Sequence, residues 1–275
     1  MRAAPLGSSA VHSFPLLVAS DLDGTIVRSD GTISARTVAA FARVEAAGAR
    51  FALVTGRPPR VMRAIAAAFG HRGTAICSNG ALEYDMRTGT VTARHLIQPE
   101  QLTAAARALR AAIPGIGIAV ERPDGRAADD VYEAVSWDTN ATIPRPGDRA
   151  LFGEPAAKLL ARHLGYSPDE LLALAVPVLD GLVSVTHSNG NGLIEAAAAG
   201  VSKASAIAEL AATRGIGAAQ VIAFGDMPND LPLLAWAGVS CAVANAHPAV
   251  LAAATRVIGG HDEDGVAEHL EGLYP

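Results

Sequence analysis

Hydrophobic positions along this chain follow two rhythms. Short unbroken apolar runs, such as Pro15-Leu-Leu-Val-Ala-Ser20, Arg50-Phe-Ala-Leu-Val54 and Ala75-Ile76-Cys77, alternate with longer stretches of helical period. Continuous apolar runs are what strands buried on both faces of a parallel sheet require. Between the first two runs, Ser34 is placed to cap a helix reaching about Ala47, and Gly48 to end it. A second helix is predicted from about Pro58 to Phe69. The βαβαβ order implies a parallel sheet with right-handed crossovers.

The rhythm changes after residue 80. Residues 81–98 read as a hairpin turning near 86–89. A helix is predicted over 99–112, and strands over 117–121, 156–162, 182–187 and 192–197. A Pro/Gly/Asp-rich segment fills 122–155, and Ser167 with Pro168 opens another helix. The βα order returns near Val201: helix 203–214, strand 220–224, helix 229–237, strand 239–244, a helix from 248, strand 256–258 and a closing helix at 266–270. The expected fold class is α/β. A doubly wound parallel-sheet core formed by 1–80 and 199–275 carries an inserted α+β domain at 81–198.

Composition narrows the function. Half of the 275 residues are hydrophobic and only 18% are charged, enough for a sizeable core. The net charge is −5 and no long Lys/Arg run occurs, which argues against nucleic-acid binding. Cys77 and Cys241 sit in no ligand or disulfide pattern and read as small buried hydrophobes. No leader or membrane span is expected, and a cytoplasmic location fits. Monomer and dimer are both compatible with the sequence.

Polar residues collect just after the strands: Asp21 and Asp23 after the first, Thr55 and Arg57 after the second, Asn79 after the third, Asp226 after a later one. Ligands of open parallel sheets bind at that edge. Carboxylates gathered there repel one another, and a hard divalent cation, Mg²⁺ above all, relieves the repulsion. A lysine, a threonine hydroxyl and backbone N–H groups bind anions, so the set points to phosphate. An ionised Asp beside phosphate can attack phosphorus, and a second carboxyl can move the proton.

Asp21-Leu-Asp-Gly-Thr25, Thr55-Gly-Arg57, Lys203 and Gly225-Asp-Met-Pro-Asn-Asp230 resemble, in order and spacing, the four motifs of the haloacid dehalogenase superfamily. Ser78-Asn79-Gly80-Ala81, Gly200-Val-Ser-Lys203 and Asp264-Gly265-Val266 are similar to its Cof-type branch of metabolite phosphatases. That resemblance implies a Rossmann-like core and a type-2 cap. The insertion point follows from spacing: 31 residues separate Asp23 from Thr55, and 123 separate Asn79 from Lys203. It also implies roles. Asp21 would be nucleophile and metal ligand. Asp23 would be the general acid/base, lending the metal its backbone carbonyl. Leu22, Thr55, Gly56, Arg57, Asn79 and Asn229 would face phosphate or substrate. Lys203 would neutralise charge, and Asp226, with Asp230 beside it, would complete the Mg²⁺ site.

Each motif alone has a plainer reading. Asp-x-Asp-Gly-Thr suits an ordinary turn, Thr55 a helix N-cap, Lys203 a solvated helix position and Asp226 an N-terminal dipole partner. Together they demand one coincidence per strand end. His163 and His187 more often serve structure than substrate, and Trp137 and Trp236 packing. Tyr84, Glu121, Arg122, Asp129 and Asp138 are cap-contact candidates. Asp262 and Asp264 read as a helix start. The expected function is a Mg²⁺-dependent phosphatase of a small phosphorylated metabolite. A phosphomutase on the same fold and a non-catalytic phosphometabolite-binding protein are the alternatives.

Overall fold

A computed structural model describes residues 14–123, 125–133, 142–144, 147–188 and 192–275. The chain runs β1 (Leu17–Ser20), α1 (Ala35–Ala46), β2 (Arg50–Val54), α2 (Met62–Ala68), β3 (Thr74–Cys77), β4 (Leu82–Asp85) and β5 (Val91–Ala93). It continues through α3 (Pro99–Ala112), β6 (Gly117–Arg122), β7 (Gly125–Ala128), β8 (Thr142–Pro144), α4 (Asp148–Phe152), β9 (Lys158–Arg162), α5 (Pro168–Leu179), β10 (Val183–Thr186) and β11 (Leu193–Ala198). It closes with α6 (Lys203–Ala212), β12 (Val221–Gly225), α7 (Leu231–Trp236), β13 (Val239–Val243), α8 (Pro248–Ala253), β14 (Arg256–Ile258) and α9 (Gly265–Leu273).

The larger sheet has the order β14-β13-β12-β1-β2-β3-β4-β5. Strands β14 to β3 pair in parallel, while β4 and β5 add antiparallel at one edge. β1 lies at the centre, between the strand that follows it and one that arrives two hundred residues later. The strand order therefore reverses between β1 and β12, where the crevice of a doubly wound sheet opens. All four residues of β1 are buried, and so are all five of β12, matching their unbroken apolar runs.

The second sheet has the order β10-β11-β9-β6-β7-β8 and is antiparallel except for the β7–β8 pair. Side chains alternate across it. Ile118, Val120, Leu159, Ala161 and Ile194 pack with Leu102 and Leu109 of α3 and Leu171 and Ala175 of α5. Glu121, Lys158, Leu160, Leu193 and Glu195 line the cavity on the opposite face.

Helix signals were legible. The Ser34 hydroxyl accepts from Thr37 N–H, and Ser167 forms a reciprocal capping box with Glu170. Differences follow from physics that the sequence pattern does not carry. The hairpin expected inside the 81–198 insertion instead extends the large sheet, with Ala75 opposite Tyr84 and Glu83 opposite Thr92. Alternation predicts a strand but not its sheet. The expected boundary at 81 thus falls within that sheet, and the second hydrophobic cluster begins at Ile97. The segment 122–155 holds β7, β8 and α4, which at four, three and five residues are too short to announce an element. Pro58-Pro59 opens α2 through a 3₁₀ turn, as Pro228 does for α7. Trp137 and Asp138 lie outside the described residues.

Under the large sheet, Phe41, Phe51 and Phe69 form a mutual aromatic cluster with ring centroids 5.1 to 5.6 Å apart. Phe41 is fully buried. Phe41→Ala is expected to lower unfolding free energy by about 3–5 kcal/mol. Urea denaturation checks this, and a loss below about 1 kcal/mol would contradict the packing described.

Candidate active site

Each strand end delivers its polar residue by a local device. The chain leaves β1 at Asp21, whose N–H donates to Phe224 O at 3.0 Å, and turns at once. Leu22 O accepts from Thr25, Ile26 and Val27, which closes the turn. Gly24 has φ +74°, and a Cβ there would lie 2.4 Å from Asp226 Oδ2. Only glycine allows the two loops this approach. Gly225 is equally tight, because a Cβ there would meet Asp230 Cγ at 2.5 Å. After β3, Ser78 and Asn79 both take left-handed backbone conformations. Their N–H groups donate to Arg57 O and Thr55 O, tying that loop to the end of β2. Strain of this kind concentrates at functional sites.

Lys203 is the first residue of α6, with its side chain fully buried. Its Nζ donates to Asp21 Oδ1 and to Asp230 Oδ1, both at 2.7 Å. Asp230 Oδ2 accepts from the N–H groups of Asp226 and Met227, and Thr25 Oγ1 donates to Asp226 Oδ1 at 3.1 Å. Asp21, Asp226 and Asp230 bring carboxylate oxygens within 4.8 Å of one another, all buried. Burial and the neighbouring carboxylates push the Asp21 carboxyl well above the usual range, against the pull of Lys203. Burial, then Asp230, pushes Asp226 up to about 7. Burial works against the Lys203 charge too, but Asp21 and Asp230 outweigh it and hold the ammonium above its ordinary value.

A cavity of about 550 Å³ opens between these strand ends and the second sheet. Asp21, Asp23, Gly56, Arg57 and Asn229 line it from one side, and Glu121, Arg126, Lys158, Ser188 and Glu195 from the other. Its charges are mostly matched. The Arg57 guanidinium pairs with Asp23, whose carboxylate is half exposed. Arg60 and Arg126 both bind Glu121. Lys158 and Glu195 form a buried pair at 2.6 Å. Leu22 N–H, Gly56 N–H and the Thr55 hydroxyl donate to no acceptor among the described residues. Three such donors at one strand edge form a ready anion cradle.

Other candidates serve structure. Asp129 accepts from Arg110 and from the N–H groups of Ile118 and Tyr132, and Arg122 donates to Leu151 O. Tyr84 is in β4 of the large sheet, and His163 stacks near Tyr166. Trp236 is partly buried against the core. Asp262 and Asp264 hold Ser29 and Arg28. His187 is buried outside the cavity, and His187 and His247 both face the Asp169 carboxylate. His247 Nδ1 accepts from Ala249 N–H, so Nε2 carries its proton and donates to Asp169. That arrangement ties α5 and the end of β10 to the start of α8 by hydrogen bonds. Sequence reasoning missed Arg60, Arg126, Lys158, Ser188 and Glu195. A charge inside an apolar strand, as in Ala156-Ala-Lys-Leu-Leu160 and Leu193-Ile-Glu-Ala-Ala197, was the available signal.

Residues 18–270 match the family of haloacid dehalogenase-like hydrolases. The chain belongs to that family. It is a hydrolase. Among its relatives is a 5-amino-6-(5-phospho-D-ribitylamino)uracil phosphatase of Bacillus subtilis, 26% identical over 94% of this chain and 98% of that one. A pyridoxal phosphate phosphatase of Escherichia coli is 28% identical over 92% and 97%. A phosphatase of the superfamily from Bacteroides thetaiotaomicron shares the fold with a TM-score of 0.80, at 21% identity over 98% and 99%.

Hydrolases of this family generally use a divalent metal, and the acidic cluster fits one. Its donors are all oxygens, and three carboxylates against one ammonium leave negative charge in excess. A bound cation must displace the proton that Asp226 otherwise keeps up to about 7. Metal-free protein is therefore expected to bind Mg²⁺ about tenfold more tightly at pH 8 than at pH 6. Calorimetric titration at both pH values checks this, and equal affinities would remove the proton linkage.

Proposed function

We propose that this chain is a Mg²⁺-dependent phosphatase of a small phosphorylated metabolite, acting through a phosphorylated Asp21. One observation carries the reading: the Lys203 ammonium is held between Asp21 and Asp230 at 2.7 Å, in a buried carboxylate cluster that opens into a cavity of about 550 Å³. An ammonium on Oδ1 leaves the second oxygen of Asp21 to attack phosphorus. The relatives named as phosphatases support the same chemistry.

In this reading Asp21 Oδ forms a bond to phosphorus as the bond from phosphorus to the ester oxygen breaks. Asp23, released from Arg57, gives its proton to the departing oxygen and then takes one from the water that cleaves the aspartyl phosphate. Arg57 is placed to govern that proton, because its guanidinium embraces the Asp23 carboxylate. Thr55 Oγ–H, Leu22 N–H and Gly56 N–H receive the phosphoryl oxygens, with Lys203 offsetting their charge and Asn79 and Asn229 beside them. Mg²⁺, when bound by Asp21, Asp226 and the Asp23 carbonyl, supplies charge neutralisation at the phosphoryl group. Asp230 already receives three donors from the chain, so its role is to fix Lys203 and the turn at Asp226 and Met227.

The second sheet with α3, α4 and α5 acts as the cap, from about Ile97 to Ala198, and selects the leaving group. Glu121 and Arg126 are its polar contacts and Leu160 and Leu193 its apolar ones. A phosphorylated sugar, pyridoxal phosphate and a phosphorylated vitamin precursor all fall within this reading. Cytoplasmic action is part of it, and among the described residues no helix is long and apolar enough to cross a membrane.

A panel of such phosphate esters with Mg²⁺ is expected to release inorganic phosphate from at least one. Asp21→Asn is expected to lower that rate by at least about 1,000-fold, the scale on which nucleophiles are lost. Asp23→Asn is expected to lower it by about 100- to 10,000-fold. No Mg²⁺-dependent release, or an Asp21→Asn protein as active as the parent, rules the mechanism out. Product analysis separates hydrolysis from isomerisation.

A further inference from the structure

Two buried charges on the second sheet reach across the cavity to the loops at the strand ends. Lys158 opens β9 and Glu195 lies in β11. Glu195 stands opposite Leu160, so Lys158, two residues before Leu160, is its diagonal neighbour on the same face, within reach of long side chains. Lys158 and Glu195 are 4% and 6% exposed. Lys158 Nζ donates to Glu195 Oε1 at 2.6 Å and to Gly56 O at 2.8 Å. Glu195 Oε2 accepts from Asn79 Nδ2 at 2.9 Å and from Ser188 Oγ at 3.0 Å. Asn79 Oδ1 in turn accepts from Asn229 Nδ2 at 3.2 Å. A continuous polar chain thus runs from the second sheet through the ends of β2 and β3 to the turn beyond β12.

A buried ion pair is weak evidence for stability, since well-packed apolar residues often do as well. Its placement suggests another use. The Gly56–Arg57 peptide is planar and trans, so its C=O and N–H point in opposite directions. Lys158 holds the C=O end. The N–H end donates to Thr55 Oγ1 at 3.0 Å. With that lone pair occupied, the Thr55 hydroxyl proton is turned outward as a donor. An ammonium on the carbonyl also polarises the peptide and strengthens the bond at its far end. Glu195, meanwhile, fixes the Asn79 amide so that its oxygen faces Asn229. Burial alone would raise the Glu195 carboxyl, but Lys158, Asn79 and Ser188 outweigh it and keep the carboxyl below its usual range.

We propose that Lys158 and Glu195 are positioning residues of the reaction, setting Thr55, Asn79 and Asn229 for the phosphoryl group only while the second sheet is seated on the strand ends. They touch neither the phosphoryl group nor the attacking oxygen. The cradle's geometry is thereby completed by the sheet that also bounds the leaving-group side of the cavity. This inference rests on the phosphatase reading of the site.

The test compares Lys158→Met, Glu195→Gln and the double variant with the parent, using a substrate found on the panel and orthovanadate with Mg²⁺ as a phosphoryl mimic. Misplacing a reacting group by about 1 Å costs on the order of 100-fold. Each single variant is expected to lose about 30- to 100-fold in kcat and about tenfold in vanadate affinity, while KM moves by less than about threefold. The double variant is expected to be no worse than the singles, because the residues act as a unit. It leaves no charge buried without its partner, so it remains available if a single variant fails to fold. A lower thermal midpoint with unchanged kcat and vanadate affinity would make the pair merely structural and overturn the proposal. A parent protein with no turnover on the panel instead overturns the phosphatase reading beneath it.

Discussion

Three carboxylates and one ammonium share a space from which water is largely excluded, at the point where β1 and β12 lie side by side. Like charges at such separations cannot all ionise unaided, and the pressure shows in the raised carboxyls of Asp21 and Asp226. Lys203 relieves part of it. The remainder is negative charge in excess, which a divalent cation would relieve. Much else in the core exists to hold these groups together. Gly24 lets the first loop touch Asp226, Gly225 lets the later strand end against Asp230, and Ser202 starts the helix that carries Lys203.

The second sheet answers the same constraint from the other side. Its charges arrive already paired, with Lys158 on Glu195 and Glu121 on two arginines. Prepaired charges enter a buried cavity at lower cost than lone ones. Between them Leu160 and Leu193 present apolar surface. The cavity therefore offers matched polar groups and an apolar wall rather than a strong field of one sign. That suits a modest polar leaving group, in keeping with the small phosphorylated substrates of the relatives.

How much was legible depended on whether a signal was local. Strands β1, β2, β12 and β13 announced themselves because both faces are buried, which forces unbroken apolar runs. Asp21, Thr55, Asn79 and Asp226 were legible because each directly follows such a run. The pattern of 81–98 predicts a hairpin, but its alternation does not name the sheet it joins, and β4 and β5 extend the large sheet instead of the insertion. Elements between 122 and 155 went unseen because their strands run for only three or four residues and their helix is a single short turn. Lys158 and Glu195 looked like ordinary charges. Their burial exists only once β9 and β11 are paired and laid across the strand ends.

The sequence by itself determined the parallel core and the identity of the acidic and basic residues at the strand ends. Local rules suffice there: apolar runs make strands, Ser and Pro start helices, and polar residues after buried strands fall at one edge. Tertiary structure alone decided that Lys203 lies between Asp21 and Asp230, that Arg57 takes the Asp23 carboxylate, and that a charged pair from β9 and β11 reaches Gly56 and Asn79. These are contacts between residues up to 182 positions apart. Such contacts depend on strand order and on one sheet seated against another, which no local pattern encodes.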